Sequence, residues 1–267
     1  MNESKKKFKI VTDTSARVIL PNMITLIGVC VGLSSINFAL NENYKLSIIA
    51  ILFAAIMDGL DGRIARLIKG TSKVGKELDS LTDIVSFGVA PAFIMYFWKL
   101  NTLGRFGWLV CLIYVICVAL RLARFNVNSG QETSWRDNFF EGVPSPAGGI
   151  LVLTPLIFSM TNFKFITINY DIVVPIFFIV TSFLLISKFP SYSFKKIVIQ
   201  RKTTIFLLIG IVLFFGLLLI YPFNLIAISA IIYLVMLPIS FFHYQKLKKQ
   251  NEDQNFKDED DDLEDVL

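Results

Sequence analysis

The chain has 267 residues, of which 54% are hydrophobic, with 26 Lys and Arg against 21 Asp and Glu and a net charge of +5. A mean hydropathy of +0.63 excludes a soluble globular enzyme, and continuous apolar runs without two-residue alternation exclude a β-barrel. The composition is that of an all-α, polytopic transmembrane helical bundle, and its basic residues border the apolar runs, which suits membrane lipids and phosphates as partners and no nucleic acid.

The N-terminus opens with lysines but has neither a long apolar region nor a small-residue cleavage site, so no cleavable signal peptide is expected. Residues 5–20 mix basic and apolar positions, as an interfacial amphipathic helix or a plain basic tail would. Eight spans are then predicted, at 21–40, 45–65, 79–99, 105–123, 146–161, 171–187, 203–221 and 223–243. The fifth is the weakest, being short and carrying Pro146, Gly148, Gly149 and Pro155. Cys30, Cys111 and Cys117 all lie inside apolar runs, without CxxC or Cys/His spacing, and read as small buried residues. His243 closes the last span without a candidate partner. The stretch 246–267 is acidic and is predicted to be a disordered tail.

Of the Lys and Arg residues, all but Lys45, Lys99, Arg105 and Lys164 fall on one side of this eight-span arrangement. The positive-inside rule then places both termini in the cytoplasm of a cell whose inner membrane holds the protein.

Four carboxylates interrupt the apolar pattern at that same cytoplasmic side: Asp58, Asp61, Asp79 and Asp83. Charge at the edge of a span is costly to desolvate and reads first as functional. Asp58, Asp61, Gly62, Ala65 and Arg66 follow helical spacing along one face, and Gly75, Asp79 and Asp83 follow it along another. A short polar link over 67–74 makes the two helices antiparallel neighbours, so the faces converge. Oxygen-only ligands suit Mg²⁺ or Mn²⁺, with Ca²⁺ able to occupy the same sites, and the lack of His and Cys argues against zinc. Gly62, Ala65 and Gly75 would let a bulky planar group approach the backbone, and Arg66 would neutralise a phosphate. Spacing alone leaves open interfacial ion pairs with Arg63, Arg66, Lys69 and Lys76, or a cation-transport site.

The pattern Asp58-x2-Asp61-Gly62-x2-Ala65-Arg66-x8-Gly75-x3-Asp79-x3-Asp83 matches every fixed position of the CDP-alcohol phosphotransferase signature. The chain therefore resembles that family over about Pro21–Pro190. PNMITL at 21–26, DSLTDIVSFGVAPA at 79–92, RLARFNV at 121–127 and GVPSPA at 142–147 bring it nearest to the phosphatidylserine synthase branch. Gly148 and Gly149 depart from the alanines common there.

The resemblance implies a six-helix core over 21–190, preceded by the cytoplasmic segment 1–20 and followed by two further spans over 191–245 and the tail 246–267. It implies a phospholipid-biosynthetic transfer of the phosphatidyl group from CDP-diacylglycerol to L-serine, giving phosphatidylserine and CMP, in a homodimer. Asp58, Asp61 and Asp79 would ligate two divalent cations. Asp83 would share in metal binding and act as general base. Gly62, Ala65, Arg66 and Gly75 match nucleotide-binding positions. Asn22 and Thr25 either face the same nucleotide or cap the first helix. Serine brings a carboxylate, so Arg121, Arg124, Asn126 and Ser145 are candidates for its pocket, the alternative for the arginines being to anchor a span end. A sibling enzyme using glycerol 3-phosphate or inositol phosphate, and the cation transporter, remain as rivals.

Overall fold

Among the described residues, eight helical rods follow one another, close to the predicted spans. The structure, a computed structural model, describes residues 13–68, 70, 72–128, 139–161, 169–192 and 201–264. The rods are α1 (Asp13–Leu40), α2 (Tyr44–Leu67), α3, α4 (Arg105–Asn128), α5 (Ser145–Ser159), α6 (Tyr170–Ile186), α7 (Arg201–Ile220) and α8 (Pro222–Glu264). Rod α3 runs unbroken through Lys73–Asp83, a π-helical turn over Ile84–Val89, and Ala90–Trp98. Stretches in α1, α3, α4 and α8 are long and apolar enough to cross a membrane, while α5, α6 and 208–220 of α7 are shorter apolar helices.

Three boundaries differ from the sequence reading. Helix α1 starts at Asp13 and continues through Pro21, so residues 13–20 are its first turns and not a separate interfacial helix. Residues 1–12 lie outside the described residues. Rod α3 starts at Lys73, earlier than the predicted 79, because Ser72 caps it by accepting a hydrogen bond from Gly75 N at 2.9 Å. The backbone of α8 is helical through Glu264, where disorder was predicted from 246. Its Lys, Gln and Glu residues are strong helix formers that extend an already nucleated rod.

Among the described residues there is also a short antiparallel pair that the sequence did not announce. Strand β1 (Phe139–Glu141) pairs with β2 (Pro190–Tyr192). Gly142 follows β1 at φ +77, a left-handed conformation suited to glycine, and a Cβ there would lie 2.8 Å from Leu185 O. Gly142 N donates to Phe189 O and Ser191 Oγ donates to Gly142 O. This clip turns the chain from β1 into the start of α5, where Ser145 sits.

Rod α3 threads the middle of the bundle, with Phe87, Ile94 and Met95 fully buried. Backbones approach it closely on two sides. A Cβ at Gly32 of α1 would fall 2.5 Å from Ser86 Oγ, and one at Gly149 of α5 would fall 3.3 Å from the Phe87 backbone. Small residues allow such crossings where lipid supplies no hydrophobic drive between helices. The Gly28–Gly32 spacing is therefore a packing motif here, and Gly149 has no room for alanine without a shift. Pro91 lacks the N–H that an α-helix would direct at Phe87 O, and the buried Tyr114 hydroxyl of α4 donates to that carbonyl at 2.7 Å. Ala90 N reaches back five residues to Val85 O, which makes the turn π-helical.

The far end of α3 is a different environment. Tyr96 stacks edge-on against Trp108, Trp98 against Tyr170, and Lys99 pairs with Asp171 at 3.1 Å. Aromatic and charged side chains of this kind mark a membrane–water interface. The rod thus places the aspartates and this belt at opposite ends.

Candidate active site

Helix α2 carries Asp58 and Asp61 in its last turns, and α3 carries Asp79 and Asp83 early in its course. The antiparallel packing predicted from the 67–74 link brings them together. Carboxylate oxygens of Asp58, Asp61 and Asp79 all lie within 4.8 Å of one another. Asp61 and Asp83 are buried, and Asp58 and Asp79 are half-buried. The Asp58 carboxyl lies in side-chain contact with both Asp79 and Asp83. Asp83 Oδ1 is buried without a hydrogen-bond partner.

Like charges this close repel strongly unless a counter-charge is bound. Two basic residues of an ion-pair reading make bonds to backbone carbonyls. Arg66 Nε donates to Gly62 O of its own helix at 3.0 Å, and Lys76 Nζ donates to Asn126 O at 3.2 Å. Lys69 lies outside the described residues. A compact, all-oxygen donor set with an orphaned carboxylate oxygen beside it fits a hard divalent cation.

The cluster borders an open cavity of about 160 Å³ whose lining includes Asn22, Thr25, Gly62, Ala65, Gly75 and Asp79. Asn22 and Thr25 stand well inside α1, which excludes the capping alternative. The Thr25 hydroxyl lies 2.5 Å from Asp61 Oδ2 and 3.0 Å from Pro21 O. It fixes the aspartate's rotamer across the α1–α2 contact. Gly62 faces open space, whereas a Cβ at Gly75 would meet Asn22 Oδ1 at 2.8 Å. Gly62 thus keeps the cavity wide, and Gly75 lets α1 and α3 close around it. Arg66 is exposed and stands outside this lining. Gly70, Ser72 and Lys76 line the cavity too and were missed by the sequence reading. Ser72 was legible as a cap, since it precedes Lys73 and the first turn of α3 directly.

The four candidates for the acceptor pocket separate into two groups. Arg121 is buried and donates Nη1 to the buried Ser145 hydroxyl, and it lies within electrostatic reach of the Asp83 carboxylate. Arg124 Nη1 donates to Ile186 O at the end of α6, at 2.6 Å. Asn126 Nδ2 donates to Ser80 Oγ at 2.9 Å. Arg121 and Ser145 therefore adjoin the aspartates, while Arg124 closes a helix C-terminus and Asn126 ties α4 to α3. His243 does have a partner, the Tyr192 hydroxyl, 2.9 Å from its Nδ1.

The family profile for CDP-alcohol phosphatidyltransferase matches residues 18–181, from within α1 to within α6. The chain belongs to the CDP-alcohol phosphatidyltransferase family. It is 36% identical over 254 residues to the CDP-diacylglycerol–serine O-phosphatidyltransferase of Mycobacterium leprae, covering 91% of this chain and 82% of that protein. The enzyme of the same name from Helicobacter pylori strain 26695 is 32% identical over 217 residues, 81% of this chain and 88% of that protein. The one from Mycobacterium tuberculosis strain H37Rv is 43% identical over 144 residues, 53% of this chain and 50% of that protein. As a CDP-alcohol phosphatidyltransferase with four helices fit to span a bilayer, the protein is an integral membrane enzyme.

Proposed function

We propose that the protein transfers the phosphatidyl group of CDP-diacylglycerol to L-serine, releasing CMP, at the cytoplasmic side of the inner membrane. One observation carries this reading: three carboxylates lie within 4.8 Å of one another with buried Asp83 beside them, and two of the three, Asp61 and Asp79, line a cavity bordered by Asn22, Thr25, Gly62, Ala65 and Gly75. The names of the relatives supply the acceptor.

Asp58, Asp61 and Asp79 are the residues that would hold divalent cations, two Mg²⁺ or Mn²⁺ in this reading, with Asp83 at the edge of the set. When bound, such cations neutralise a diphosphate and the negative charge that develops on the departing phosphate. Gly62, Ala65 and Gly75 leave space for the cytidine portion, with Asn22 and Thr25 along its side. Thr25 holds Asp61 in place. Arg66 stands outside the cavity lining with its Nε bound to Gly62 O, and its Nη groups are the donors that would serve a phosphate.

Asp83 Oδ1 takes the proton of the serine hydroxyl. The hydroxyl oxygen then forms a bond to the β-phosphorus, the bond from that phosphorus to the bridging oxygen breaks, and its electron pair leaves with CMP. Arg121, with Ser145 behind it, holds the carboxylate of serine. Among the described residues Arg121 is the one buried Lys or Arg. A single guanidinium suits a carboxylate, whereas a phosphorylated acceptor would favour a denser cationic pocket.

The excess of Lys and Arg at the aspartate side supports a cytoplasmic site with both termini inside. Residues 21–190 form the catalytic core in this reading, 1–20 and 246–267 flank the membrane part, 191–245 supplies two accessory spans, and the enzyme works as a homodimer.

Release of CMP from CDP-diacylglycerol, measured with L-serine, glycerol 3-phosphate and inositol phosphate in turn, tests the reading. Serine-dependent release that a chelator removes and Mg²⁺ or Mn²⁺ restores is the expected result. Release with another acceptor alone assigns a sibling activity. Cation flux into liposomes without CMP release makes the protein a transporter.

A further inference from the structure

Helix α8 lies beyond the segment that matches the family, 18–181, yet it delivers a polar group to the aspartate end of the bundle. Its Tyr233 hydroxyl oxygen is buried without a hydrogen-bond partner. Ser191 of β2 lies beside it and donates its own hydroxyl proton to Gly142 O at 2.8 Å. Arg121 of α4 lies within electrostatic reach of both Tyr233 and Asp83, and its Nε is likewise buried and unpartnered. Asp83 Oδ1 of α3 is the third such atom.

Buried polar atoms nearly always have partners, so each orphan requires an explanation. Here three orphans on three helices belong to side chains linked through Arg121, which interacts with Asp83 on one helix and with Tyr233 on another. Arg121 Nε–H is a donor, the Tyr233 hydroxyl is a donor, and a carboxylate oxygen of Asp83 is an acceptor. Their complement is one small molecule that presents an anionic acceptor to the first two and a hydroxyl donor to the third. A 3-hydroxy carboxylate has that arrangement on a three-carbon frame, and L-serine is one. The Arg121 Nη1 bond to Ser145 fixes the guanidinium so that its Nε edge stays available.

We propose that Tyr233 is a specificity-determining residue of the acceptor pocket: its hydroxyl and Arg121 Nε share the carboxylate of serine while Asp83 receives the hydroxyl. The inference rests on serine being the acceptor. It gives the accessory helices a task, since the six-helix core lacks this donor. The Tyr233 ring also borders an apolar cavity of about 370 Å³ between α2, α5, α7 and α8, so a phenylalanine in its place keeps the ring's packing.

The test compares the full chain with its Tyr233→Phe variant in detergent, with CDP-diacylglycerol and Mg²⁺ or Mn²⁺. Loss of a hydrogen bond to a charged group predicts a KM for serine raised roughly tenfold or more, with kcat changed by less than about threefold. The dissociation constant for CMP and the unfolding temperature should stay at wild-type values. An unchanged KM for serine in an active variant overturns the inference alone. So does a loss of CMP affinity by the same factor, which would mark general damage to the fold. A wild-type chain that releases no CMP with serine overturns the acceptor reading and this inference together.

Discussion

Rods α3 and α7 are both apolar and both helical, yet the bundle constrains them in opposite ways. Around α3, neighbours dictate the residue at position after position: Ser86 lies against Gly32, Gly88 against Val118, and Phe87 against Gly149. Around α7, Phe206 is 75% exposed and Leu219 is 86% exposed, and a Cβ at Gly210 or Gly216 would meet nothing within 4 Å. Lipid does not drive helices together as water does, so contact between spans comes from close backbone approach and polar bonds. Rod α3 has both and carries chemistry; α7 needs only to be apolar.

The largest effect should fall on α3 at its chemistry. Asp83→Asn is expected to lower the rate of CMP release by about 10³-fold, within the range for loss of a general base, while CDP-lipid binding persists. Near-wild-type turnover in that variant sinks the assignment of the base. The sharpest test of the comparison itself pairs two identical changes. Gly32→Leu must drive α1 and α3 apart and should cost about 3 kcal/mol in unfolding measurements, as overpacking of a close contact does. Gly210→Leu on α7 should cost nothing, and its better helix propensity even contributes about 0.5 kcal/mol. Equal destabilisation by the two would break the contrast.

A smaller effect is expected where α4 supports α3. Tyr114→Phe removes the donor to Phe87 O beside Pro91 and should destabilise the fold by about 1–3 kcal/mol. Smaller again, Ser72→Ala removes the cap of α3 and should cost about 1 kcal/mol. Thermal unfolding in detergent orders this series, and a Ser72 effect above that of Gly32 would reverse it.

Much of the site was legible because carboxylates are conspicuous in an apolar chain. The i, i+3 and i, i+4 spacings gave the two faces, and the short polar link gave their antiparallel packing, so Asp58, Asp61 and Asp79 meet as predicted. The apolar runs likewise gave the eight rods among the described residues, although the start of α1, the start of α3 and the end of α8 fall six residues or more from the predicted bounds. What escaped depends on atoms brought from far along the chain. Nothing in the local pattern ties Thr25 to Asp61, thirty-six residues away, or Arg124 to Ile186 O. Arg121 and Arg124 have the same residue type and nearly the same place, yet one turns inward to Ser145 and the other closes a helix end. The β1–β2 pair was too short to leave a period-two signal, and Tyr233 was hidden because an apolar span accommodates a tyrosine without remark.

The π-helical turn after Asp83 has a consequence for how this site is inherited. An α-helix advances about 100° per residue, and the turn over Ile84–Val89 holds one residue more than the same arc of α-helix would. That surplus residue works like the offset between two wheels on one axle. It sets the bearing of Asp79 and Asp83 independently of the bearing of Ile94 and Met95, which are locked into the interior. Deleting any single residue from 84–89 would leave all four carboxylates in the chain and swing two of them away from Asp58 and Asp61. The site is therefore specified by a count as much as by a composition, and a comparison of kindred chains by residue identity alone would overlook its loss.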